Sequence, residues 1–176
     1  MAAADQIHRS PAGGEREGTV VRNRTRLVAL SVFLVALHLF LHVGLGLGAL
    51  APDLVTLAIL IVARTSPLAV AAFAGLVLGL LKDATALSAF GANALAGTVA
   101  GILGSLCTRL IVYSRWFFAS YLFFGKLAVD TAVWVAGGDN RGSLTEAAVA
   151  AGIGGGYLVF VGFFIVILLG LTEERL

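Results

Sequence analysis

The chain has 176 residues, 59% of them hydrophobic and 12% charged, with a mean hydropathy of +0.98 and a formal net charge of +2. An average soluble domain carries about 25% charged residues, so this composition excludes a soluble globular protein and points to an integral membrane protein of one domain. The small net charge leaves no footprint for nucleic acid, and a lone cysteine, Cys107, excludes an intrachain disulfide.

Residues 1–26 are rich in Gly, Ala, Arg and Glu without an apolar run, which predicts a disordered, basic cytoplasmic tail. Its arginines, Arg9, Arg16, Arg22, Arg24 and Arg26, precede an abrupt apolar segment over residues 27–49. Ala49 and Ala51 have the form of a cleavage site, but the segment exceeds the roughly 7–15 apolar residues of a signal peptide. It is read as an uncleaved first span. A second, short apolar stretch follows Pro52 and Asp53 and stops at Arg64, and Pro67 then opens the third, as suits a first helical turn. The fourth span covers residues 91–112, the fifth 116–136 and the sixth 147–171, with a turn-rich loop over 137–142 and a cytoplasmic end at 172–176.

At about 20 residues per crossing, this layout makes residues 27–171 a six-span transmembrane domain. Its positive charges test the topology. One side collects the tail arginines with Arg64, Arg109, Arg115 and Arg175, and the other collects Arg141 and, at its margin, Lys82. The positive-inside rule then sets both ends of the chain in the cytoplasm.

Residues four apart stack on one helix face. Ala71, Gly75, Gly79 and Asp83 form a small-residue stripe on the third span, and Asn93, Gly97, Gly101, Ser105 and Arg109 form another on the fourth. Joined by the short link 84–90, two such helices can run antiparallel with their backbones close together. Asp83 and Asn93 then fall at the same end. The stripes are candidates both for helix packing and for docking a partner's single span.

Lys126 and Asp130 also lie four apart, inside the fifth span. At a rise of about 1.5 Å per residue, Lys126 falls near mid-membrane and Asp130 about 6 Å further out, at the depth of Asp83 and Asn93. The expectation is one polar cluster in the outer half of the bundle, made of Lys126, Asp130, Asp83 and Asn93 and extending to Lys82. Ionisable residues at such depth pair or line a cavity, and they mark function. Three uses are open: an ion pair that fixes helix register, contact with a partner or ligand, and proton or ion relay.

His38 and His42 share a face of the first span, but no third ligand stands at helical spacing nearby, so no metal site is expected. The glycine runs at 44–48 and 152–156 lack the strand before and the Lys-Ser/Thr after that a phosphate loop requires, and close helix packing accounts for them better. No Ser-His-Asp set or carboxylate dyad is visible, so neither catalysis nor a cofactor is expected.

Pro52 and Asp53 ahead of an apolar run, then Gly79, Lys82 and Asp83, then Phe90, Gly91, Asn93 and Leu95, together resemble the rod-shape-determining protein MreD family over about residues 45–171. The resemblance implies an all-α membrane protein of six transmembrane helices, similar in fold to the substrate-binding subunits of energy-coupling-factor transporters. It implies a non-enzymatic scaffold of the cell-elongation machinery for peptidoglycan synthesis, in the bacterial inner (cytoplasmic) membrane. The partners it implies are a bitopic MreC-like protein and, indirectly, RodA, penicillin-binding protein 2 and the actin-like MreB. Asp83 and Asn93 are the positions that match the family's motif. The likeness of fold also raises a rival, a substrate-binding subunit of a vitamin or small-solute transporter. That use needs an outward pocket with several placed polar groups, and the outer loops are short and the polar set thin.

Overall fold

The computed structural model describes residues 12–44, 52–85, 91–110, 115–136 and 143–168. Among them are α1 (Ala12–Leu39), running on into a π-helical turn (Phe40–Gly44), α2 (Leu54–Thr65), α3 (Leu68–Thr85), α4 (Ala92–Leu110), α5 (Arg115–Ala136) and α6 (Leu144–Leu168), and no strand. Four stretches are long and apolar enough to cross a membrane: Thr25–His42, Leu68–Thr85, Trp116–Ala136 and Leu144–Ile165. Two shorter apolar stretches, Leu54–Thr65 and Ala92–Cys107, lie between them in sequence. The chain is an all-helical protein suited to a membrane.

α1 begins at Ala12, well ahead of the apolar segment, so part of the expected disordered tail is helical. Once apolar turns hold a helix, each further residue adds a hydrogen bond without a new nucleus. Glu15, Arg16, Glu17 and Arg22 are good helix formers. Residues 1–11, most of the link at 84–90 including Phe90, the loop at 137–142 and the end at 172–176 lie outside the described residues.

α2 is the axis of the bundle. Asp53 caps it, its Oδ1 accepting the Thr56 N–H at 3.1 Å, and Ser66, extended ahead of Pro67, ends it. Nine of its 12 residues are buried, and it touches every other helix. Twelve residues rise about 18 Å, well short of a hydrocarbon core of about 30 Å. Enclosed by protein, α2 does not have to reach both faces. Leu54, Leu57 and Leu60 pack with Leu34 of α1, Leu122 of α5 and Leu158 of α6, while Val55 and Ile59 pack with Ala96 and Ala100 of α4 and Val129 of α5.

α3 and α4 form the closest pair. Gly75 lies against the backbone of Gly97, Gly79 against Asn93 and Ala94, and Gly101 against Ala71, so that a Cβ at any of these glycines would overlap main-chain atoms of the other helix. In lipid, helices attract each other through close packing of this kind, since the tails are as apolar as the side chains. The two small-residue stripes therefore cover each other and are not free to dock a partner. On α6, Gly155 packs on Phe123 and Gly162 on Leu122, whereas Gly152 and Gly156 have no atom within 4 Å of where a Cβ would stand.

Candidate functional site

The start of α2, the end of α3, the start of α4 and the second half of α5 bring their polar residues to one end of the bundle. Instead of the single cluster expected, two centres form there, and adjacent residues of α3 belong to different ones.

The first centre is built on Asp53. Its Oδ2 accepts from Lys82 Nζ at 2.6 Å and from Thr56 Oγ1 at 2.8 Å, and Lys126 Nζ stands 3.0 Å away. Lys126 also donates to Asp130 Oδ1 at 2.5 Å. The side chains of Asp53, Lys82, Lys126 and Asp130 are 15%, 21%, 10% and 27% exposed, so all four are largely withdrawn from the surroundings. Two ammonium groups and two carboxylates balance to zero, and Lys126 bridges the carboxylates. Each charge has an opposite partner within hydrogen-bond reach, the condition for holding ions at low dielectric. α6 passes over this centre at Gly154, where a Cβ would lie 3.6 Å from Lys126 Cε and 3.9 Å from Asp130 Oδ2.

The second centre is Asp83, which is 1% exposed. Its carboxylate accepts the backbone N–H groups of Gly91 (3.0 Å), Asn93 (3.1 Å) and Ala94 (2.9 Å), and the Asn93 Nδ2 amide at 2.9 Å. The last turn of one helix thus caps the next. The orphan N–H groups of the α4 N-terminus gain acceptors, and the positive end of its dipole faces an anion. Gly91 enters this cap at φ +95°, a conformation that glycine adopts without strain.

No known protein family, curated protein or solved structure matches this chain.

Of the residues singled out by sequence, Lys82, Lys126 and Asp130 meet in the first centre, Asp83 and Asn93 in the second, and Gly75, Gly79, Gly97 and Gly101 in the seam between α3 and α4. The residue that sequence reasoning missed is Asp53, the hub of the first centre. Two signals could have found it. An Asp between a proline and an apolar run has the form of a helix cap, and Lys82 with Lys126 leaves one cation too many for Asp130 once Asp83 is engaged elsewhere.

His38 Nδ1 lies 3.0 Å from the Pro52 carbonyl oxygen, which can only accept, so the imidazole carries its proton there. Its ring stacks on His42 with centroids 5.5 Å apart. The pair joins the end of α1 to the entry of α2, and no group of three metal-ligating side chains forms among the described residues. Chemically, both centres are fastenings: the first ties α2, α3 and α5 together, and the second ties α3 to α4.

Proposed function

We propose that this chain is an MreD-like scaffold in the inner membrane of a bacterium, binding a bitopic MreC-like protein and through it serving the cell-elongation machinery. One observation carries the reading. The three separated segments on which the sequence resemblance rests, Pro52 with Asp53, Gly79 to Asp83, and Gly91 to Asn93, meet at one end of the bundle and serve one another: Asp53 holds Lys82, Asp83 holds Gly91 and Asn93, and Gly79 lies on Asn93. Motif residues spent on joining helices suit a protein whose task is to present a fixed surface. In a solute-binding subunit, polar side chains of this kind would turn toward a cavity; here they turn toward each other.

We further infer six passes with both ends cytoplasmic. The turn carrying Arg64 and the part of α1 carrying Arg26 share one end of the bundle, and the neutral ion-pair network occupies the other, the asymmetry that the positive-inside rule describes. Since the glycine seam is covered from within, the partner meets an outward face.

Co-expression with the MreC-like protein of the same organism and purification in mild detergent tests the proposal. The expected result is a stable complex that survives size-exclusion chromatography. A folded, monodisperse protein that never retains the partner would overturn it.

A further inference from the structure

Among the described residues, the backbone of α1 comes close to α2 and to no other helix. In lipid, the apolar side chains of α1 gain little by exchanging acyl chains for protein, so a polar fastening weighs more in holding the helix. His38 supplies one. Its ring is buried, its Nδ1–H donates to the Pro52 carbonyl oxygen at 3.0 Å, and it stacks on His42, 17° from parallel with centroids 5.5 Å apart. His42 is partly buried and stands in the π-helical turn that follows α1. Single turns of this kind are frequent at functional sites.

Imidazole is the side chain whose charge changes between about pH 5 and 8, and the surroundings of this pair offer no free counter-charge. Between Arg26 and His38 the chain has no titratable residue, and residues 43–51 have none. The carboxylate of α2 is Asp53, next to Pro52, and it is engaged by Lys82 and Lys126, while Arg64 lies at the opposite end of that helix. Asp130 of α5 is engaged by Lys126, and Asp83 of α3 by the start of α4. Between Glu146 and Glu173, α6 brings one titratable group, the Tyr157 hydroxyl. A first proton on the pair therefore meets a neutral network, and a second meets the first.

We infer that His38 and His42 form a pH-sensitive latch on α1. Neutral, they hold the end of α1 against the entry of α2; on acidification the two charged rings repel, the stack parts and the end of α1 comes away from Pro52. The latch is closed at neutral pH and loosens as pH falls. With both chain ends in the cytoplasm, as proposed above, this end faces outward and the latch reads the pH outside the cell. The latch itself depends neither on that topology nor on a protein partner.

Amide hydrogen exchange of the full-length protein in lipid nanodiscs tests it, at about pH 7.5 and about pH 5.5, with rates normalised to those of unstructured peptides at each pH. Residues 38–44 and 53–57 should lose protection by at least about tenfold at the lower pH, since two unit charges 5.5 Å apart repel by more than that factor at an effective dielectric of about 20. Residues 97–101 of α4, in the glycine seam, should keep theirs. His42→Phe retains a flat ring for stacking but cannot charge, and it should show the same protection at both pH values. Nitrogen NMR of the histidine-labelled, unaltered protein should find the rings of His38 and His42 both doubly protonated at the lower pH. Equal protection of the unaltered protein at the two pH values, or an undiminished response in His42→Phe, would overturn the proposal. So would a loss of protection that spreads to residues 97–101, or either ring remaining neutral at the lower pH.

Discussion

The seam between α3 and α4 and the outward face of α6 both carry glycines four residues apart, and they put them to opposite use. In the seam, Gly75 and Gly79 each meet main-chain atoms of α4, and Gly97 and Gly101 meet main-chain atoms of α3. On α6, Gly152 and Gly156 stand at the same spacing with open space before them. Small-residue spacing thus permits close approach without deciding that it happens. What accompanies it in the seam is a polar clamp at the end of each stripe: Asp83 closes one, Asn93 opens the other, and the hydrogen bond between them fixes the register in which glycine meets glycine. α6 brings no such clamp to its open face.

Substitutions along the two faces would break this contrast in graded steps. Gly97→Leu drives a branched side chain into the Gly75 main chain of α3, which cannot swing aside as a side chain can. A loss of more than about 4 kcal/mol is expected, the range reserved for the most disruptive changes, and fluorescence-detected size exclusion should show no folded peak. Asp83→Ala removes the acceptor of four N–H groups in a buried site. Leaving buried donors unpaired costs about 1–3 kcal/mol each before relaxation, so the melting temperature in detergent should fall steeply, and amide exchange should accelerate at residues 91–94.

Lys126→Met leaves Asp130 without its cation while Asp53 keeps Lys82, and a loss of about 3 kcal/mol is expected from one broken buried pair. Adding Asp130→Leu should restore much of the loss, because removing both partners is far less costly than stranding one. A double variant no more stable than Lys126→Met alone would show that the network does more than balance charge. Gly156→Leu should change stability by less than about 0.5 kcal/mol, as for a substitution that touches nothing. A large loss there would mean that the α6 face is covered after all.

Much of the helical layout was legible because apolar runs, Pro67 and the arginines punctuate it, and four-residue spacing marked the faces of α3 and α4 able to approach closely without showing that they meet. What spacing could not convey was rotation about each axis. Lys82 and Asp83 are neighbours in sequence and were assigned to one cluster, but successive residues on a helix point about 100° apart, so one reaches α2 and the other α4. The role of Asp53 was hidden for a related reason. It lies at the head of a stretch read as one more span, where an Asp marks the membrane edge, and only the burial of nine of the 12 residues of α2 reveals that its cap lies inside the protein. The extent of α1 was misread because composition describes a segment by itself, whereas a helix can extend outward from an anchored apolar stretch.

The pairing of Lys82 with Asp53 bears on how the protein is made. The two residues sit at the far ends of the hairpin formed by α2 and α3, and Lys126 with Asp130 sits within α5. During synthesis, the hairpin therefore reaches the bilayer with its cation and anion already matched, and α5 follows later with a matched pair of its own. The charge that the hairpin still carries unmatched is Asp83, whose partners at Gly91, Asn93 and Ala94 arrive with α4.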